Sequence, residues 1–239
     1  MFARFLLAGA FALLALWPVS SPAQLFNLDN IDMGAKTVDV GGVSVRVVTP
    51  GNFCSFDESN AVDAAVLAQI RSVQNPNNVP LAIYIDCGEL NDIRTGARQY
   101  MTRYLSVGTT QSALYENFVG REAEMAANAC GNTSVGRALG ESMDSTRQRL
   151  QTFAEGTDFL GMESLGVVKQ TADTCYVGYL VKTNIDGTTV TQVNVIGFFV
   201  LKGKLIVVND YNSYYSGVLD ALLAEEEAYV ASLRSSNFY

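Results

Sequence analysis

Residues 174–211 leave this chain the least conformational freedom. Three runs of alternating apolar residues, 174–185, 188–201 and 204–211, are separated only by Asp186-Gly187 and Lys202-Gly203. A two-residue turn with φ > 0 at its centre closes an antiparallel hairpin, and Asp-Gly is the strongest short-range signal for one. Two such turns in succession predict a three-stranded antiparallel meander. The remaining segments then have to cover its apolar faces.

Helical and extended patterns alternate around the meander. Residues 37–40 and 43–49 alternate about Gly41-Gly42, which predicts an N-terminal β-hairpin ending at Pro50-Gly51-Asn52. Ala61, Val62, Ala65, Val66, Leu67 and Ile70 share a helical stripe over 59–73, with Asp57 or Ser59 as its cap. Leu81–Cys87 reads as a short buried strand. A strand–helix–strand order predicts that it runs parallel to the strand before the helix. Residues 88–108 are mixed, helical in part, and place Tyr100 and Tyr104 one helical turn apart. Helical stripes follow over 112–129 and 134–153. A strand over 159–170 carries a bulge at Gly161 or Gly166, and a last helix spans 217–234, capped by Ser213 or Ser216. The fold class is therefore α+β: an antiparallel meander with an N-terminal hairpin, covered by helices in an α/β/α-like sandwich.

The first residues read as a leader. Arg4 precedes an apolar run of about a dozen residues, too short to span a bilayer, and Ser21-Pro22-Ala23 places small residues at a cleavage site. Residues 1–23 are read as a signal peptide and 24–239 as one domain, periplasmic or secreted, with no membrane span after cleavage. Cys54, Cys87, Cys130 and Cys175 then suggest two disulfides. If the strands ending near Cys54 and Cys87 are parallel neighbours, both thiols lie at one sheet edge, which favours Cys54–Cys87 and leaves Cys130–Cys175. Asn132-Thr133-Ser134 fits a glycosylation sequon.

The composition removes several chemistries. There are no histidines, so Ser-His-Asp and Cys-His catalysis and HExxH zinc sites are excluded. No C-x-x-C, S-x-x-K or G-x-S-x-G occurs. Gly197–Lys204 only superficially resembles a phosphate loop, because Leu205 stands where Ser or Thr is needed. No cofactor or metal site is expected. A net charge of −8, one unit more negative once Arg4 leaves, argues against nucleic acid as a partner.

Two sets of residues remain. Asp86, Glu89 and Asp92 cluster near Arg94 and Arg98. They are a solvated Asp–Arg loop or, as the alternative, the acids of a carboxylate-dependent hydrolase of envelope sugars. Asp210, Tyr211, Tyr214 and Tyr215 combine aromatic, carboxylate and amide groups at a helix entrance. That mixture forms either a candidate binding surface or a packed corner.

The element order resembles the PsbP-like fold. The resemblance is carried by 43–53 running into Pro-Gly-Asn-Phe, by the strand LAIYIDC, and by the closing hairpin and helix FFVLKGKLIVVNDYNSYYSGVLDALLAEEEAYVASL. Members are mostly non-catalytic accessory or binding proteins. The resemblance thus implies a binding or accessory role and specifies no functional residue; together with the leader, the expectation is an exported accessory protein of the cell envelope with an envelope protein as its partner.

Overall fold

The computed structural model describes residues 35–73, 77–98, 100–131, 157–185 and 187–238. The leader and lead-in (1–34), the helix expected over 134–153, the sequon and Asp186 lie outside the described residues.

Seven strands form one antiparallel sheet in the order β3-β4-β5-β9-β8-β7-β6. They are β3 (Phe53–Ser55), β4 (Asn78–Asp86), β5 (Tyr104–Thr110), β6 (Thr157–Gln170), β7 (Thr174–Ile185), β8 (Thr188–Leu201) and β9 (Lys204–Ser213). The strands β1 (Lys36–Val40) and β2 (Val43–Val47) form a separate hairpin. Among the described residues, the helices are α1 (Ala61–Val73), α2 (Cys87–Arg94), α3 (Glu122–Gly131) and α4 (Val218–Ser235). The expected meander is present as β7–β8–β9, in continuous register from Ile185↔Thr188 and Leu201↔Lys204 outward.

The sheet separates two layers. On one face, α4 and the hairpin cover Val193, Val195, Phe199, Leu201, Ile206 and Val208. On the other, α1 and α2 cover Ile85, Tyr104 and Tyr211, while α3 lies beside Cys175, Val177, Tyr179 and Ile196. Alternation along β4 shows both sides at once, since Tyr84 belongs to the first layer and Ile85 to the second.

Several expectations are corrected. The strand before α1 is not a parallel neighbour of β4. The chain leaves β2, forms β3, and β3 pairs antiparallel with the end of β4, Cys54 opposite Ile85. Cys87 follows directly, so Cys54 and Cys87 are bonded with Cα atoms 5.0 Å apart. The pairing is the expected one, reached through a different strand arrangement. Cys130, near the end of α3, is bonded to Cys175 of β7, Cα atoms 5.5 Å apart.

Residues 104–110, placed in the mixed stretch, form the central strand β5 between β4 and β9. Helix α3 starts ten residues later than its stripe suggests. The backbone at 112–118 is held instead by Gly203, whose carbonyl accepts from Phe118 N–H (2.8 Å), and by Lys204, whose Nζ donates to the carbonyls of Leu114 (3.1 Å) and Glu116 (2.9 Å). Helix α1 is capped by Asn60, whose Oδ1 accepts from Val62 N–H (2.9 Å), not by Asp57 or Ser59. Helix α4 begins at Gly217 in a left-handed conformation, φ 85°, without a side-chain cap. The bulges of β6 fall at Gly161 and Gly166 as expected, with a third at 167–169.

Candidate functional site

Alternation along β9 decides which candidate residues meet. Ile206, Val208 and Asp210 point towards α4; Val207, Asn209 and Tyr211 point to the opposite face. Asp210 and Tyr211 therefore cannot belong to one surface. Tyr214 and Tyr215, past the strand's packed portion, are 60% and 48% exposed. The four residues of the candidate binding surface separate into an enclosed carboxyl, an enclosed ring and two outer tyrosines.

Tyr211 is enclosed by stacking. Its ring lies on Tyr104, centroids 4.3 Å apart and planes 13° from parallel. The two residues are direct cross-strand partners of β5 and β9. Burial, more than any neighbour, pushes the Tyr211 hydroxyl up to about 12. Tyr100 and Tyr104 do not form a helical pair: Tyr104 begins β5, and Tyr100 lies under the Arg98 guanidinium at 5.9 Å.

A groove of about 180 Å³ opens beside Tyr211, between the residues covered by α1–α2 and those beside α3. Ile196, Phe198 and Val207 form its apolar floor; Ser106, Asn209 and Tyr211 bring polar atoms to it. Gly108 on β5 also lines it, and a Cβ there would stand 3.0 Å from the Val79 carbonyl oxygen of β4. A second cavity, about 270 Å³, lies between β4 and α1 and is lined by Phe56, Leu67 and the charged groups Lys36, Glu58 and Arg71. Arg71 is already paired with Glu58 at 2.5 Å. Small-molecule sites usually enclose about 300–1,000 Å³. Both cavities are below that range and suit a single inserted side chain better than a sugar or a nucleotide.

On the α4 face, Asp210 and Glu226 form a buried carboxyl pair. Each is 0% exposed, and none of their four oxygens meets a partner at hydrogen-bond geometry, although the backbone N–H groups of Tyr211 and Gly197 act weakly on Asp210 and Glu226 respectively. Asp210 lies between Leu105 and Val195 across the strands. Glu226 lies over Gly197, where a Cβ would come within 2.4 Å of its Oε1. Burial raises both carboxyls well above the usual carboxylate range. The next cause is Asp210 for Glu226, and Glu225 for Asp210, while Arg103 pulls Asp210 back down. Tyr176, opposite Gly197 on β7, is pushed up to about 12, first by burial and then by Glu226. The pair is legible in the sequence once the period is applied. Glu226 is four residues from both Leu222 and Val230 in the apolar stripe, and Asp210 continues the Ile206–Val208 alternation.

The three acids near the end of β4 have other roles. Asp86 caps α2, its Oδ1 accepting from Gly88 N–H (2.9 Å) and Glu89 N–H (3.2 Å), and it meets Arg103 at 3.4 Å. Glu89 accepts from Thr102 N–H (2.8 Å), Arg103 N–H (3.1 Å), the Thr102 hydroxyl and Arg98 (3.0 Å). Asp92 meets Arg98 at 3.9 Å. Each faces an arginine, whereas a two-carboxylate hydrolase needs one acid in an environment that keeps it protonated. Among the described residues, no group of three or more Cys, Asp or Glu is placed to hold a metal ion, and no helix is long and apolar enough to cross a membrane.

The chain is similar to the Saccharomyces cerevisiae Ran-binding protein Mog1p, with a TM-score of 0.32 and 11% identity over 86% of this chain and 93% of that one. It is also similar to a mutant of protein Mog1, with a TM-score of 0.30 and 11% identity over the same shares. No protein-family model matches the chain, and no curated protein matches it.

Proposed function

We propose that this protein is an exported, non-catalytic accessory protein that binds a protein partner of the cell envelope. In this reading, one apolar or aromatic side chain of the partner enters the groove over Ile196, Phe198 and Val207. The observation that carries the proposal is the groove's size and lining. At about 180 Å³, with an apolar floor and Ser106, Asn209 and Tyr211 around it, it has the form of an anchor pocket. Tyr211 is held rigid by Tyr104, so little ordering entropy is lost on that side. Two disulfides are compatible with an oxidising compartment and support export, together with the leader-like residues 1–23. The antiparallel sheet between helical layers supports the PsbP-like resemblance and the accessory role that it implies. A hydrolase built on Asp86, Glu89 and Asp92 is less well supported, because each acid is already engaged by an arginine.

A photo-crosslinking residue tests this in cells that make the full chain. It is placed at Asn209 in the groove, at Tyr214 on the outer corner, and at Asp220 on the exposed side of α4. A discrete protein adduct from Asn209 alone is the expected result. An adduct from Tyr214 but not Asn209, or the same products from all three positions, refutes the groove as the contact.

A further inference from the structure

The Asp210–Glu226 pair joins two elements that have to stay together. Asp210 belongs to β9 and Glu226 to α4, so any repulsion between them acts across the helix–sheet boundary. Both side chains are fully enclosed, and no side chain donates to their oxygens. We propose that this pair is a proton-controlled latch: α4 lies on the sheet while the carboxyls hold their protons, and loss of those protons as the pH rises lifts α4 off. The apolar face formed by Val193, Val195, Phe199 and Val208 is thereby uncovered.

Among the described residues, the cations around the pair are already engaged by other carboxylates. On α4, Glu225 is bound to Arg103 (2.8 Å), Glu227 to Lys169 (2.5 Å), and Arg234 to Asp173 (3.1 Å) and the Thr174 hydroxyl (2.9 Å). Tyr229 donates to the Val48 carbonyl at 2.8 Å. From the loop before β5, Arg103 is the cation that acts on Asp210, and it is shared between Asp86 and Glu225. From β4 comes Tyr84, which interacts with Tyr229. From β7 comes Tyr176; from β8 come Val195 and Gly197; from β5 comes Leu105. Tyr104 and Tyr211 stack on the far face. The hairpin contributes Val45 and Val47. A charge formed on Glu226 therefore stays buried with no cation acting on it, and one on Asp210 meets only the shared Arg103, until the helix moves.

The direction follows from proton linkage. Both acids bind protons more tightly in the folded state than in an opened chain, where they titrate near about 4. Closure is then favoured fully below about pH 4 and is progressively lost as the pH rises through the folded-state values. Each proton released makes opening up to about tenfold easier per pH unit.

Hydrogen exchange of the amides of 218–235, measured from pH 5 to 9 on the intact oxidised protein and divided by the unfolded-peptide rate at each pH, tests the latch. Protection in α4 is expected to fall by up to about tenfold per pH unit per proton, with β7 and β8 unchanged. Glu226→Gln and Asp210→Asn should each flatten that slope, and Asp220→Asn, on the exposed side of α4, should leave it. If one of the two neutral variants fails to fold, the other gives the same reading. Flat protection in the wild type overturns the latch, as does a full slope retained in Glu226→Gln. A parallel loss across β7 and β8, which would mean global unfolding, overturns it too.

Discussion

Replacing Arg94 with leucine should destabilise this protein more than any other surface-reaching substitution in the α1–α2 layer. Arg94 holds both oxygens of Asp63, with Nε 2.9 Å from one and a terminal nitrogen 2.5 Å from the other. The Asp63 side chain is 0% exposed, and Arg94's is 22% exposed. Without the guanidinium, Asp63 keeps the Asp57 N–H at 2.8 Å as its remaining described donor from another residue. Removing one partner of a buried pair costs about 3–5 kcal/mol, because the other charge is left uncompensated. Water reaches Arg94 in part, so the lower end, about 3 kcal/mol, applies. In a chain of this size that lowers Tm by about 6–12 °C. The assay is calorimetric melting of the oxidised protein, with Asp63→Leu and the double variant alongside. The double variant should recover much of the loss, since an apolar pair of similar volume is often neutral or better. A shift below about 2 °C for Arg94→Leu, or a double variant no more stable than the single, refutes the reasoning.

Two further perturbations test the packing around the sheet. Replacing Cys130 and Cys175 with serine opens a loop with a sequence separation of 45. In the chain-entropy model this costs about 4 kcal/mol, read as a lower urea midpoint than wild type. An unchanged midpoint would show that the bond does not constrain the unfolded chain. Gly197→Ala places a methyl 2.4 Å from Glu226 Oε1 and 3.2 Å from Tyr176 Cε1. The overpacking should cost about 1–3 kcal/mol in urea unfolding. A neutral result would mean that α4 is free to shift away from β8.

Local rules carry the meander and fail at the sheet's centre. Strands β7, β8 and β9 are long, alternate cleanly and are joined by two-residue turns, so chain-local geometry specifies their pairing. Strand β5 is only seven residues long and contains Gly108; its neighbours in space, β4 and β9, include one that begins about a hundred residues later. Strand β3 has three residues and is a strand only because β4 returns beside it. The start of α3 was obscured in a similar way. Lys204 and Gly203, distant in sequence, take the backbone groups that a longer helix would have used.

The candidate site divides along the same line. Alternation already places Tyr211 and Asp210 on opposite faces of β9, and the helical stripe already places Glu226 on the covered side of α4. Nothing local brings Asp210 and Glu226 together, because their meeting depends on where α4 crosses β8 and β9. Likewise, Ile196, Phe198, Val207 and Asn209 become a groove only because α1–α2 and α3 cover the residues on either side. The sequence by itself determined the meander, the cysteine inventory, the absence of histidine chemistry and the face on which each residue stands, since these depend on composition and on periods of 2 and 3.6 residues. Tertiary structure alone decided the antiparallel course of β3 and β4, the groove and the carboxyl pair, since each needs contacts between segments that no local period links.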